Sequence, residues 1–391
     1  MRRFFWYIIP HTTFLAAISL FDMFVAFYFF RYGTRSFVAP LTFAAAGWAV
    51  VPVSQALAAR LSSKISLPAC LRIGALATAA AFATTAALAA AGVPWWALVP
   101  IGALYGSMRS IYWSARHQLD YHVSKTGRAD TYFGWQAAST TGSITAVGVV
   151  GGFVVESFPK AGYTIVFGLA VALLVLTSFA VRNHSPAYGS FSTAKFRQIT
   201  SLNPAFRRVF LASILRGASG FGTLPLAIQV FTFAALRREL PVAVLSGFGA
   251  VLALTFGAVA ARSVEPSHRT RIAWASSLVL LGLAGLLAAL PTGLLGSVYL
   301  VVGPIATVLL TMPTMAMDNS IFAHNDAALA EYTVAREVGL ALGRLGSALP
   351  LALLFADPEA VGPYLALLSL AYPAQVLLLA GWRRPARRAS L

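Results

Sequence analysis

Charged residues and cysteine are scarce in this sequence. Only 10% of the 391 residues are charged, against about 25% in ordinary soluble domains, and 58% are hydrophobic. The single cysteine, Cys70, excludes an internal disulfide and a cysteine-rich metal site. The sequence also lacks the GxxxxGK[ST] loop of ATP-driven pumps and the GxSxG and HExxH motifs of hydrolases. This composition predicts an integral membrane protein with no room for a soluble catalytic domain.

The formal charge of +17 does not indicate nucleic-acid binding, because the basic residues lie in short gaps between apolar runs. The basic residues on one predicted side are Arg2, Arg3, Arg60, Lys64, Arg72, Arg116, Lys125, Arg128, those of the central linker, Arg262, Arg269, Arg271 and those of the tail WRRPARR. The opposite side carries fewer, and Glu156, Glu239, Asp357 and Glu359 partly balance them. The positive-inside rule therefore places both termini in the cytoplasm, and we expect a multi-pass protein of the bacterial inner membrane.

Twelve apolar runs are long enough to span a bilayer, which needs about 20 residues per helix. They cover residues 8–30, 37–59, 70–91, 96–117, 134–155, 161–181, 208–230, 241–262, 272–290, 294–319, 332–354 and 361–382. The N-terminal run is too long for a signal peptide and has no A-x-A cleavage site, so it is counted as a span. The predicted fold is all-α, with twelve transmembrane helices.

The chain divides into two similar halves. We expect a six-helix bundle over residues 1–181, a cytoplasmic linker with a short surface helix over 182–207, and a second six-helix bundle over 208–391. The fifth helix of each half is rich in small residues that permit close helix packing, with Gly148 and Gly152 in one half and Gly339, Gly343 and Ser347 in the other. This correspondence favours an internal repeat and pseudo-symmetric bundles.

Charged residues near the middle of the membrane fall on the first, fourth, seventh, tenth and eleventh helices. Asp22 interrupts SLFDMFVAFYFF, and Arg109 lies in a stripe with Tyr105, Trp113 and Arg116 at helical spacing. Polar stripes on apolar helices face the bundle interior or water, so these helices predict a shared polar cavity. The segments RGASGFGTLP and VGPIATVLLTMPTM further predict interruptions of the seventh and tenth helices.

Candidate substrate or coupling residues lie on these stripes. They are Asp22, Arg109, Trp113, Arg216, Thr311, Thr314 and Asp318. Asp22 and Arg109 lie at similar depths, so Asp22 is interpreted either as a structural partner of Arg109 or as a proton-coupling carboxylate. Arg109 and Arg216 either clamp an anionic substrate or act as counter-ions of Asp22, Asp318 or Glu337. Trp113 stacks on a substrate or on Arg109, or serves only in packing.

A second group of charged residues is interpreted as a gating or structural network. It comprises Arg116, Asp120, Arg336, Glu337 and Arg344. The segment HQLDYH contains His117, Asp120 and His122, but its spacing fits no common metal site, so no metal is predicted.

The chain resembles the major facilitator superfamily over nearly its whole length. The resemblance rests on two six-helix halves, a basic cytoplasmic linker, and charged residues on the first, fourth, seventh and tenth helices, which line the central cavity in that family. The loop AARLSSKISLPACLR has basic residues but lacks the acidic residue usual there in the family, and VGVVGG lacks the proline of the GPxxGG antiporter motif.

The predicted function is therefore secondary active transport of a small organic or amphipathic molecule by alternating access, with proton coupling at Asp22. An anionic group on the substrate and the direction of transport, including export, are left open. The alternatives are a lipid or lysolipid flippase, an uncoupled facilitator, and an integral membrane transferase using His117 and Asp120. The expected partners are the substrate, protons and membrane lipid, with no cofactor and no nucleic acid. The protein is expected to be a monomer and not to be an enzyme.

Overall fold

The structure is a computed structural model that describes most of the chain. The described residues are 2–32, 38–91, 95–124, 129–158, 161–182, 191–202, 204–219, 223–263, 267–290, 292–322, 328–354 and 361–380. Residues 183–190 of the predicted linker and the basic tail 381–391 lie outside these residues, as do several loop lysines and arginines used to assign the termini.

The described residues form fifteen α-helices. The helices of the N-terminal half are α1 (Arg2–Tyr32), α2 (Val38–Ser62), α3 (Leu67–Ala90), α4 (Leu98–Ser124), α5 (Ala129–Ser157) and α6 (Gly162–Ala180). The linker contains α7 (Thr193–Leu202). The helices of the C-terminal half are α8 (Pro204–Ala218), α9 (Thr223–Leu236), α10 (Glu239–Ser263), α11 (Arg269–Ala289), α12 (Gly293–Phe322), α13 (Leu329–Leu354), α14 (Gly362–Ser369) and α15 (Ala371–Ala380).

These helices give the twelve predicted passages. Nine of them are long and apolar enough to cross a membrane by length and composition within the described residues. The passages formed by α4, α5 and α13 are not among the nine. Helices α4 and α13 carry the polar and charged side chains noted above, and α5 contributes the shorter apolar stretch Gly142–Ser157. The seventh passage is divided into α8 and α9 and the twelfth into α14 and α15.

The predicted interruption of the tenth passage is wrong. Helix α12 is continuous although Pro304 and Pro313 lie inside it. Each proline removes one main-chain hydrogen bond, a loss that transmembrane helices tolerate when neighbouring groups compensate. In the seventh passage α8 ends at Ala218 and α9 begins at Thr223, and residues 220–222 of the predicted interruption lie outside the described residues. The division of the last passage at Leu370 was not predicted.

Helices of the two halves meet along α5 with α10 and along α2 with α13. Close approach depends on small residues: Gly152 of α5 lies against Ala243 and Leu240 of α10. In the C-terminal half, Gly343 of α13 lies so close to the carbonyl oxygen of Ile214 in α8 that an added Cβ would collide with it. The small residues of the two fifth helices thus serve different contacts, one between the halves and one within a half.

The two ends of the bundle can be told apart by the linker. Helix α7 and the start of α8 pack through Phe196, Ile199 and Phe206 against Tyr121 of α4 and Tyr332 of α13. We call this end of the molecule the linker end, and the opposite end, which contains Arg31 and Glu239, the far end. The second bundle begins at Pro204, four residues before the predicted boundary.

Candidate functional site

Asp22 is held in a hydrogen-bonded triad with Tyr105 and Arg109. Tyr105 Oη donates to Asp22 Oδ1 at 2.5 Å, and Arg109 Nη1 lies 3.2 Å from Asp22 Oδ2. Arg109 Nη1 also donates to Tyr105 Oη at 2.5 Å. Because Tyr105 and Arg109 are four residues apart on α4, they share one face and approach the α1 carboxylate together. Both carboxylate oxygens therefore have a partner.

The triad is partly accessible to solvent. The exposed fractions of the side chains of Asp22 and Arg109 are 42% and 23%. Arg344 of α13 interacts electrostatically with Asp22, so a helix of the C-terminal half lies near the triad. Phe21 and Phe24, on either side of Asp22, are fully buried in the N-terminal half. A carboxylate that is both central and reachable by water can exchange protons with one side of a membrane.

The C-terminal half contains a second arginine–carboxylate pair. Arg216 Nη1 of α8 donates to Asp318 Oδ2 of α12 at 2.6 Å. The exposed fractions of these side chains are only 6% and 2%. This pair joins the seventh and tenth passages, and the pair Asp22–Arg109 joins the corresponding first and fourth passages. The order of the charges is reversed, because here the arginine precedes the carboxylate along the chain. The two halves thus share an ionic contact at equivalent places, of which only the N-terminal one is accessible.

The remaining candidate residues have local partners. Trp113 packs against Phe14 and His11 of α1 and stacks on His117, with ring centroids 5.2 Å apart. Arg109 instead lies over the ring of Tyr105. On α12, Thr314 Oγ1 donates to the main-chain carbonyls of Leu310 and Thr311, a common arrangement for threonine in a membrane helix. Thr311 is partly exposed one turn away.

At the linker end the predicted charge network separates into two parts. The first lies within the N-terminal half: Arg116 Nη2 pairs with Asp120 Oδ1 at 2.7 Å, Tyr132 Oη donates to the same carboxylate oxygen at 2.6 Å, and Arg116 Nη1 donates to the carbonyl of Tyr7. Arg116 is 1% exposed, so this part ties α1, α4 and α5 together.

The second part crosses between the halves. His117 Nε2 of α4 lies 3.2 Å from Glu337 Oε1, and Arg336 of the same helix as Glu337 donates to His117 Nδ1 at 2.9 Å. Arg344, two turns further along α13, also interacts electrostatically with Glu337. His117 was not among the coupling candidates from the sequence, because nothing local to α4 shows that α13 packs against it.

The far end carries contacts between the halves that the sequence analysis also missed. Arg31 at the end of α1 forms an ion pair with Glu239 at the start of α10, and Tyr163 Oη of α6 donates to the same carboxylate at 2.8 Å. Arg238 pairs with Glu156 of α5. The preceding residue, Arg237, has a φ of 55°, a left-handed conformation that ends α9 and turns the chain into α10. The only sequence signal was the presence of opposite charges at one end of the bundle.

Among the described residues, the arrangement thus combines a partly accessible carboxylate at Asp22 with polar contacts between the halves at both ends.

Solved structures share this fold. A bacterial homologue of the human drug peptide transporters PepT1 and PepT2 superposes with a TM-score of 0.69 at 10% identity, covering 96% of both chains. The nucleoside transporter NupG gives 0.67 at 12% identity, covering 98% of this chain and all of NupG. The human organic anion transporter MFSD10 gives 0.60 at 12% identity, covering 96% of this chain and 98% of the other. No protein-family model and no curated protein matches the sequence.

The chain therefore has the fold of the major facilitator superfamily. The predicted all-α membrane architecture of two six-helix bundles is confirmed.

Proposed function

We propose that this protein is a secondary active transporter that moves a small organic or amphipathic molecule by alternating access, with Asp22 as its proton-coupling residue. The observation that carries the proposal is the difference in exposure between the two ionic pairs. Asp22 and Arg109 are reachable from the cavity, whereas Arg216 and Asp318 are buried and are assigned a structural role.

The geometry around Asp22 suits the exchange of one proton. When Asp22 is ionised, it accepts hydrogen bonds from Tyr105 and Arg109, which favour the charged form. When a proton binds Asp22, the attraction to Arg109 is lost, and the guanidinium becomes available to another anion in the cavity. Arg109 cannot lose its own charge, so it remains a ligand for a carboxylate or phosphate group of the substrate. This exchange would link protonation to binding of an anionic group.

The proposal also covers the orientation in the membrane, the oligomeric state, the cavity wall and the class of substrate. The termini and the linker are assigned to the cytoplasmic side of a bacterial inner membrane, and the transporter acts as a monomer. Trp113 and Thr311, which are partly exposed, are assigned to the cavity wall, whereas Thr314 is buried within the C-terminal half. The solved transporters with this fold act on peptides, nucleosides and organic anions, which makes these the first substrate classes to test.

Two alternatives remain distinct. A lipid or lysolipid flippase or an uncoupled facilitator would use the same fold without requiring Asp22 to change its protonation. A transferase at the linker end is less supported, because His117 and Asp120 have different partners: His117 contacts α13 and Asp120 pairs with Arg116.

The test is a thermal-unfolding screen of the purified protein and of the Asp22→Asn variant at about pH 5.5 and about pH 8. The panel contains dipeptides, nucleosides, organic anions and lysolipids. A ligand present at 100 times its dissociation constant adds about 2.7 kcal/mol to the stability of the folded state, which is a readily measured shift. We expect a ligand whose stabilisation depends on pH in the wild type and not in Asp22→Asn. A ligand that stabilises both proteins equally at both pH values contradicts coupling at Asp22 and favours a facilitator.

A further inference from the structure

His117 lies where the two halves meet at the linker end. It belongs to α4 of the N-terminal half, and both of its ring nitrogens are engaged by α13 of the C-terminal half. The exposed fractions of the side chains of His117 and Glu337 are 16% and 9%, so the contact is largely shielded. Trp113, one turn earlier on α4, stacks on the imidazole ring from the side of α1.

These contacts determine the protonation state of His117. An arginine side chain can only donate hydrogen bonds, so Nδ1, which receives the bond from Arg336, must carry a lone pair. Nε2 then carries the hydrogen and donates it towards Glu337 Oε1 at 3.2 Å. The ring is therefore neutral in this conformation, and its two nitrogens have opposite hydrogen-bonding roles.

Charged and titratable groups approach His117 from three helices. Arg336 and Glu337 face it from α13, Asp120 lies one turn along α4, and His11 interacts with it from α1. Arg336 Nη2 and Glu337 Oε1 are themselves 3.7 Å apart, so His117, Arg336 and Glu337 form a closed triangle. Glu337 can accept from either neighbour, whereas Arg336 can donate to His117 only while Nδ1 is unprotonated.

We propose that His117 is a second proton-binding site of this protein, and that a proton on Nδ1 breaks the Arg336 contact and loosens the linker end. A proton at Nδ1 places two N–H donors and two positive charges against each other at the present distance of 2.9 Å. Arg336 must then move away, and the positive ring keeps Glu337 as its partner. The proton strengthens the link to Glu337, but it removes the link to Arg336 and adds a positive charge to this shielded contact, which favours a more open and hydrated linker end.

The proposal deepens the proton coupling proposed above and rests on it for its place in a transport cycle. Asp22 would bind a proton in the cavity, and His117 would bind one at the contact that closes the linker end. Its structural consequence, a pH-dependent opening, can be measured without any substrate and therefore independently of Asp22.

The experiment measures the distance between the halves at the linker end. Cys70 is replaced by serine, and nitroxide labels are attached to Ser63→Cys, just after α2, and Arg271→Cys, in the first turn of α11, both of which are exposed. Double electron–electron resonance is recorded in lipid nanodiscs at about pH 5.5 and about pH 8, on either side of the ordinary histidine pKa of about 6.5. We expect a longer distance to gain population at the lower pH.

The decisive variant is His117→Gln, whose amide offers one acceptor and one donor and cannot bind a proton near neutral pH. We expect its distance distribution to be the same at both pH values and to resemble that of the wild type at the higher pH. Arg336→Gln tests the same step, because without this guanidinium a proton on Nδ1 of His117 no longer faces a positive charge at 2.9 Å. Each variant is checked for an unchanged elution profile and helical content.

Asp22→Asn separates this inference from the proposed function. A pH response that persists in Asp22→Asn and disappears in His117→Gln supports the second site, even if Asp22 proves to have no coupling role. A response that persists in His117→Gln overturns the inference, whether or not Asp22→Asn abolishes it, because the proton then acts elsewhere. A linker end that closes rather than opens at low pH overturns it as well.

Discussion

The buried pair Arg216–Asp318 and the accessible pair Asp22–Arg109 should respond very differently to the loss of a carboxylate charge. Asp318 and Arg216 are 2% and 6% exposed, so Asp318→Asn leaves an arginine charge buried without its counter-ion. Breaking a buried ion pair from one side costs about 3–5 kcal/mol of stability. Asp22 is 42% exposed, and water in the cavity can solvate Arg109 in Asp22→Asn. An exposed pair contributes about 0–1 kcal/mol, so this variant should lose about 1 kcal/mol or less.

The assay is reversible unfolding in mixed micelles, which gives the free energy of unfolding of each variant under the same conditions. The double variant Arg216→Met with Asp318→Leu provides the control, because an apolar pair of similar volume can replace a buried ion pair at little or no cost. We expect it to recover most of the stability lost in Asp318→Asn. Equal losses in Asp318→Asn and Asp22→Asn would refute the assignment of one pair to structure and the other to the cavity. A double variant as unstable as Asp318→Asn would refute the argument from an unpaired charge.

Two further predictions concern helix packing and the far end. Gly343→Ala should destabilise the protein by about 1–3 kcal/mol, because the added methyl group collides with the carbonyl oxygen of Ile214. The control is Gly346→Ala on the same helix, where an added Cβ meets nothing within 4 Å; this change should be neutral or stabilising by about 0.5–1 kcal/mol. The free energies of unfolding of both variants test this, and a similar effect of the two changes would contradict the packing of Gly343 against α8. Glu239→Gln removes the ion pair with Arg31. In a protein in which Cys70 is serine and a cysteine has been introduced at the far end, it should increase the labelling of that cysteine by a water-soluble maleimide. Unchanged labelling would exclude a gating role for this pair.

The main features of the fold could be predicted from the sequence because lipid imposes a simple rule. A helix that crosses a bilayer needs a long apolar run, and the runs separated by basic gaps gave the twelve passages directly. Prolines were a poorer guide. Pro304 and Pro313 do not break α12, since the consequence of a missing hydrogen bond depends on neighbours that the local sequence does not show.

In the candidate site, only contacts that follow from helical spacing and from depth in the membrane could be predicted. Asp22 and Arg109 were proposed as partners from their matching depths, and the structure places them 3.2 Å apart. Tyr105 belonged to the same stripe, but its direct bond to Asp22 depends on the rotation of α1 against α4. Whether these residues couple transport to protons stays a prediction.

Contacts between the halves could not be predicted at all. His117 and Glu337 are far apart in sequence, and their pairing follows from the way α4 and α13 meet at the linker end. The ion pair of Arg31 with Glu239 likewise depends on the turn at Arg237, which has a left-handed conformation without being a glycine. Such contacts are set by tertiary packing, for which the periodicity of a single helix holds no signal.

Proton-coupled transport through Asp22 can be measured in proteoliposomes loaded at one pH and diluted into another. The substrate is the ligand identified by thermal unfolding, and the wild type is compared with Asp22→Asn and Asp22→Glu at equal protein density. We predict that an imposed pH gradient drives accumulation of the substrate above equilibrium in the wild type. Asp22→Asn should then only exchange it down its own gradient, and Asp22→Glu should retain part of the coupling. Accumulation driven by the pH gradient in Asp22→Asn, at the wild-type level, would contradict the account.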